Sequence, residues 1–252
     1  PKSQPTPQSL TELQQRYLDA FIQRYTQRTA ESKRRKQASH PYLADSRACA
    51  GFRPSIKEML YPIVGTQAEG SRLWDVDGNE YIDLTMGFGV HLFGHRPEFV
   101  QGAIAAQLQR GIQIGPQAEL AGEVAQLIHE LTGMERVTFT QSGTEAVMTA
   151  LRLARTATRR RLIVRFENAY HGHFDGVLAR SSQDGAVPLA PGIPPGMVED
   201  VLVLPYGEPS AIQIIQTCAP ELAAVLVEPV QSRRPDLQPQ EFLQELRRIT
   251  QA

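Results

Sequence analysis

The sequence predicts an α/β protein: a mostly parallel sheet with helices on both faces, preceded by an N-terminal helix and a β-hairpin segment. Three observations carry this. From Glu119 onward, helical periodicities alternate with short apolar strands, the pattern of a parallel sheet with crossover helices. The strands at residues 162–166, 201–204 and 223–227 are almost wholly apolar, as burial on both faces requires. Upstream, Leu73, Trp74 and Val76 precede Asp77-Gly78-Asn79, and Tyr81, Ile82 and Leu84 follow, a strong hairpin signal.

In chain order, residues 1–9 are rich in Pro, Ser, Gln and Thr and read as a linker. Over residues 10–28, Leu10, Leu13, Tyr17, Leu18, Phe21, Ile22 and Tyr25 recur at three- and four-residue spacing, an amphipathic helix of about five turns. The basic run from Lys33 to Lys36 reads as a solvated helix end or linker, since no aromatic interleaving follows it. After the hairpin, residues 86–90 are glycine-rich but do not fit GxGxxG, so a dinucleotide fingerprint is not supported. Pro97 is placed to open a helix carrying Val100, Ile104 and Leu108 on one face. Leu120, Val124, Leu127, Ile128 and Leu131 mark the next helix, ended at Gly133. Residues 137–140 read as a strand, and 143–157 as a helix with Val147, Ala150, Leu151 and Ala154 facing inward. Residues 184–196 read as a Gly- and Pro-rich loop, 211–217 as a weaker helix, and Phe242, Leu243, Leu246 and Ile249 as a last helix.

With 26 basic and 27 acidic residues and a 41% apolar fraction, the 252-residue chain has an ordinary globular composition. Near-neutral charge gives no global reason to expect nucleic acid or an anionic membrane as partner. Cys49 and Cys218 are the only cysteines, too few for a disulfide framework, and the longest apolar run is too short to span a bilayer. A reduced, cytoplasmic setting is expected. There are four lysines, Lys2, Lys33, Lys36 and Lys57, against 22 arginines, so chemistry that needs a lysine later in the chain has none. Pro1 in place of methionine reads as a processed, excised or incomplete start.

In open α/β sheets ligands collect at the carboxyl ends of strands. Residues 141–146, Gln-Ser-Gly-Thr-Glu-Ala, follow the first expected strand. Ser142 with Glu145 forms a capping box, and Ser142, Gly143 and Thr144 at a helix N-terminus make either a phosphate cradle or a plain cap. A Walker A loop is excluded by its missing lysine. After the second strand comes a polar aromatic loop in which Tyr170 and His171 can meet a planar ligand. A metal at His171 and His173 lacks a third ligand at suitable spacing, so no metal is expected. After the strand at 223–227 stands Glu228, read either as a site carboxylate or as one exposed just past the strand end. Together the three loops suggest a pocket for a planar, phosphorylated cofactor.

At this point the residues resemble a known family. Ser-Gly-Thr-Glu-Ala at 142–146, Tyr-His-Gly-His at 170–173, Glu-Pro-Val at 228–230 and the run at 73–83 stand in the order and spacing of class III aminotransferases, fold-type I pyridoxal-phosphate enzymes. Within them the chain resembles the glutamate-1-semialdehyde aminomutase-like branch. Residues 50–65, 84–89 and 231–239 resemble aminotransferase domains embedded in hybrid polyketide/non-ribosomal peptide synthetases. The resemblance covers roughly residues 10–252.

It implies that pyridoxal 5′-phosphate is the cofactor, its phosphate held by Ser142, Gly143 and Thr144, with Tyr170 against its ring and His171 beside it. Glu228 would border the active site as its catalytic carboxylate, and Gly87, Phe88 and Gly89 would line the substrate side. Gln141 stands where the family more often has asparagine. The family's Schiff-base lysine and its pyridine-nitrogen aspartate have no counterpart here, so the chain resembles the first part of an incomplete fold-type I domain with part of its apolar surface uncovered. The implied organisation is a linker and helix at 1–35, an N-terminal segment with the hairpin at 36–110, and the first part of the large cofactor domain at 111–252. A homodimer is implied, with an amino-acid donor and a keto substrate, the latter a β-ketoacyl chain on a carrier protein. Three functional readings stand: part of a megasynthase aminotransferase domain, part of a free-standing glutamate-1-semialdehyde aminomutase, or a truncated non-catalytic module.

Overall fold

The computed structural model describes residues 10–44, 53–112, 115–183 and 185–251. The linker expected at residues 1–9, together with Cys49 and the stretch 50–52, lies outside them. The chain divides into two compact units, residues 1–117 and 118–252.

The first unit opens with helix α1 (Glu12–Arg28), the amphipathic helix expected at 10–28. A reciprocal capping box starts it: Gln14 N–H donates to Thr11 Oγ1 at 3.3 Å, and Thr11 N–H to Gln14 Oε1 at 2.9 Å. Helix α2 (Ala30–Ser39) follows after one residue, so the basic run Lys33–Lys36 lies within a helix. Its preceding residue, Thr29, cannot cap it, because the hydroxyl is taken by Tyr25 O at 2.7 Å and Tyr61 Oη at 2.6 Å. The hairpin turn supplies the cap from afar. Asp77 accepts from Glu31 N at 2.6 Å, Ser32 N at 3.0 Å and Ser32 Oγ at 3.1 Å. Asp75, buried in the same turn, accepts from the N–H groups of Asp77 and Asn79, from Asn79 Nδ2 and from Tyr81 Oη.

That turn joins β2 (Arg72–Asp75) and β3 (Glu80–Ile82), as expected, and a further strand, β1 (Gly65–Glu69), completes an antiparallel sheet of order β1-β2-β3. Helix α3 (Glu98–Arg110) begins with Pro97 as its cap rather than its first residue. Its Ile104 and Leu108 are exposed.

The second unit begins with α4 (Ala121–Thr132), closed by Gly133 in the left-handed conformation, as its position in the sequence anticipates. The apolar stripe of α4, including Val124, Leu127 and Leu131, is exposed. Residues 137–140 are not a strand: a strand exists through its ladder partner, and none of the described strands pairs with this segment. Helix α5 (Gly143–Thr158) follows; Leu151 is buried, Val147 and Ala154 are half-buried, and Ala150, expected to face inward, is exposed.

The core is a parallel sheet of order β7-β4-β8, with β4 (Leu162–Phe166) central, β7 (Val201–Leu204) on one side and β8 (Leu222–Leu226) on the other. Alternation along β4 sets the two faces. Val164 and Phe166 pack with Ala211 and Ile215 of α6 (Pro209–Cys218) and Phe242 and Leu246 of α7 (Gln240–Gln251). Ile163 packs on the opposite face with Leu151 of α5 and Val177. Helices therefore cover both faces, as the apolar strands require. The rings of Phe166, Tyr206 and Phe242 meet pairwise, with centroids 5.3–5.7 Å apart.

The loop expected at 184–196 instead contains half of a hairpin, β5 (Ala179–Ser182) with β6 (Gly185–Pro188), closed onto β7 through Ala179, Val201 and Val203. Its Gly and Pro residues obscured the strand: Gly185 sits at its start and Pro188 at its end. Among the described residues no helix is long and apolar enough to cross a membrane.

Candidate functional site

At the N-terminus of α5, Ser142 is extended and its hydroxyl accepts from Glu145 N–H at 3.3 Å. The return half of the expected capping box is displaced by one residue: Glu145 Oε2 accepts from Gln141 N–H at 2.7 Å. Gly143 carries open space, since a Cβ there would meet nothing within 4 Å. The helix end thus presents its N–H groups, two hydroxyl residues and an unobstructed approach, the make-up of an anion cradle.

The second loop reaches this helix end. Thr144 Oγ1 accepts from His173 N–H at 3.0 Å. Gly172, with φ +88°, lies so near that a Cβ would stand 2.5 Å from Thr144 Oγ1 and 3.0 Å from its Cα. Only glycine suits both the backbone conformation and the contact. Tyr170 is half exposed, its ring edge-on to that of His173 with centroids 6.0 Å apart.

The third loop closes on the second. Glu228 is half-buried; its Oε2 accepts from Tyr170 N–H at 3.1 Å and its Oε1 from Ser232 N–H at 2.8 Å. Burial pushes its pKa up, but the hydrogen bonds from Ser232 and Tyr170 outweigh this and hold it below the usual carboxylate range. Gln231, fully buried, donates to Glu167 O at 2.8 Å, and Tyr206 Oη donates to Pro229 O at 2.7 Å. The ends of β4, β8 and the start of α5 are therefore linked by hydrogen bonds, and Ser142, Gly143, Thr144, Tyr170, His171 and Glu228 all fall in this cluster.

His171 is half-buried, and its Nε2 is enclosed without a partner. Burial, aided by the charge of Arg165 and opposed by Glu228, lowers its pKa to about 4, so the imidazole is neutral at pH 7. Arg165 was not anticipated. It is 6% exposed and donates to Val177 O and Ala179 O at 2.7 Å and to Ala169 O at 2.5 Å. The signal was a lone charge in the apolar strand Leu162–Phe166. Gly172, Gln231 and Ser232 were likewise missed as structural members of the site.

Gly87, Phe88 and Gly89 belong to the first unit. Met86, Gly87 and Phe88 form a consecutive left-handed run (φ 46°, 61° and 57°). Asp83 pins its start, accepting from the N–H groups of Thr85 and Met86 and pairing with His95 Nε2 at 2.8 Å.

The donor set of the second unit fits a planar, phosphorylated ligand. The open helix end with its hydroxyls suits a phosphate, and the half-exposed Tyr170 ring beside it offers an aromatic face. Pyridoxal phosphate has both features. Among the described residues no three metal-ligating side chains converge.

The class-III aminotransferase family model matches residues 54–252. The chain is 41% identical over 196 residues to glutamate-1-semialdehyde 2,1-aminomutase of Chloroflexus aggregans, covering 75% of this chain and 45% of that protein. It spans about half the length of the curated relatives it matches. Among solved structures it resembles a β-phenylalanine aminotransferase from Variovorax paradoxus (31% identity, TM-score 0.76, 94% of this chain and 52% of that one). It also resembles a glutamate-1-semialdehyde aminomutase from Pseudomonas aeruginosa in complex with PMP (25% identity, TM-score 0.77, 97% of this chain and 54% of that one).

Proposed function

Given that this chain belongs to the class-III aminotransferases, we propose that it is the N-terminal part of a pyridoxal-phosphate-dependent domain that moves an amino group from an amino acid to a ketone. The ketone in this reading is a β-ketoacyl chain held as a carrier-protein thioester, in polyketide/peptide biosynthesis. The observation that carries the aminotransferase reading is the joining of the three loops through Thr144–His173 and Tyr170–Glu228. The run after Glu-Pro-Val, residues 231–239, supports the embedded context.

When bound, pyridoxal phosphate supplies an electron sink for the carbon that carries the amino group. This chain's residues hold and shape it. The α5 N-terminus with Ser142, Gly143 and Thr144 binds the phosphate. Tyr170, whose backbone N–H is held by Glu228, would offer its aromatic face to the ring. Neutral His171 adds no positive charge beside the ring. No lysine follows Lys57 in this chain, so in this reading the residue that would hold the cofactor covalently lies outside it. The chain by itself is therefore inactive. Homodimerisation is part of this reading, supported by the exposed apolar stripe of α4.

A second reading, a free-standing glutamate-1-semialdehyde aminomutase, is favoured by the names of relatives 39–44% identical to this chain. The complete polypeptide, loaded with pyridoxal phosphate, separates the two. Amino transfer from an amino-acid donor to a β-ketoacyl thioester supports the first reading; isomerisation of glutamate 1-semialdehyde without an external donor supports the second. Failure of both reactions overturns the enzyme reading.

A further inference from the structure

Beside Tyr170 and His171, on the side of β5, lies a cleft of about 260 Å³. Its lining includes Arg165, Arg180 and Arg233, against one carboxylate, Glu167. Arg165 is buried and bonded through both Nη atoms to backbone carbonyls alone, so its charge has no carboxylate partner among the described residues. Arg180 and Arg233 are exposed and form no ion pair there either. Arg165 Nε and His171 Nε2 are buried nitrogens without a hydrogen-bond partner. A buried cation compensated only by dipoles, with two further guanidinium groups at the rim, leaves a net positive potential over a concave surface.

The geometry points to this cleft as an anion-accepting subsite, distinct from the α5 cradle, in which Arg233 and Arg180 fork onto a carboxylate or phosphate held over Arg165. Guanidinium groups match both anions in geometry. Two sources share this chemistry: a carboxylate of the amino donor or free keto substrate, and the phosphodiester of a phosphopantetheine arm. The inference rests on the proposed function only for those sources, and not for anion binding itself.

The test is calorimetric titration of the 252-residue chain, after its binding of pyridoxal phosphate has been measured separately. With pyridoxal phosphate in excess, the chain is titrated with inorganic phosphate, pantetheine 4′-phosphate, pantetheine and succinate. Binding of the phosphorylated arm but not pantetheine identifies a phosphate source, and binding of succinate a carboxylate source; either supports the subsite. Arg233→Gln and Arg180→Gln, at exposed positions with no ion pair among the described residues, are expected to leave the melting midpoint unchanged and to weaken anion binding about tenfold or more each. Absence of binding by every anion, or variants that bind as the parent does, overturns the inference. Should pyridoxal phosphate fail to bind while anion binding still depends on Arg233, the subsite stands on its own, and the cofactor reading is decided by the complete polypeptide, whose failure to bind pyridoxal phosphate would overturn it.

Discussion

Gly172 and Thr144 fit together with no room for a side chain between them: a Cβ on Gly172 would stand 2.5 Å from Thr144 Oγ1. The contact registers the loop after β4 against the first turn of α5. It also brings His173 N–H within 3.0 Å of the same hydroxyl. Gly172→Ala meets two penalties at once, a left-handed backbone and a clash with a helix start. A destabilisation of at least about 2 kcal/mol is expected, with loss of pyridoxal phosphate binding. Chemical denaturation and an absorbance titration of the cofactor measure the two effects, and an alanine variant of parental stability would refute the contact.

The proposed function gives Ser142 a ligand role beyond its cap. Replacing it with alanine removes the hydroxyl that accepts from Glu145 N–H, which costs about 1 kcal/mol as the loss of a cap. Were it only a cap, cofactor binding would follow stability. As a member of the cradle, Ser142→Ala should weaken pyridoxal phosphate binding more than Thr11→Ala, which removes the cap of α1 in the other unit. Equal effects of the two variants on cofactor binding would return Ser142 to a plain cap.

His171 makes stability depend on pH. Its folded pKa, lowered to about 4, lies below the ordinary value of 6.5 that the unfolded chain takes. The unfolded state therefore binds the proton first as pH falls. The contribution of a neutral His171 is fully present above about pH 6.5 and is lost progressively down to about pH 4. Glu228, whose folded pKa is also lowered, loses its own contribution on acidification. The denaturation midpoint should drop between pH 7 and pH 5, and His171→Asn should flatten that drop. An unchanged slope in the variant would assign the acid sensitivity to other groups.

The alternation of apolar segments made most of the second unit legible, because a parallel strand buried on both faces and a helix against it carry different periods. What escaped has physical causes. Residues 137–140 have strand composition, but a strand needs a hydrogen-bonding neighbour, and the described strands offer them none. The hairpin partner β6 hid between Gly185 and Pro188, residues that normally mark loops. Among the site residues, hydroxyls and aromatics announced themselves by type. Arg165 did not, because its partners are carbonyls of residues 169, 177 and 179, which no side-chain pattern reveals. Likewise Asp77 reads as a turn residue, and nothing local shows that it caps a helix 45 residues earlier in the chain.

That long-range cap yields a sharp test within the first unit. Asp77 receives two backbone N–H groups of α2 and the Ser32 hydroxyl, while Asp75 organises the turn from inside. Asp77→Ala should leave the turn, whose Asp-Gly chemistry lies in Gly78 and Asp75, and unpin the start of α2. The expected cost is about 1–2 kcal/mol, read as faster amide hydrogen exchange at Glu31 and Ser32 with the exchange of β2 and β3 unchanged. Asp77→Asn keeps one acceptor oxygen but loses the charge at the helix N-terminus, so it should recover part of the protection. Uniform loss of protection across the hairpin and α2 in both variants would mean that Asp77 holds the turn itself rather than the helix.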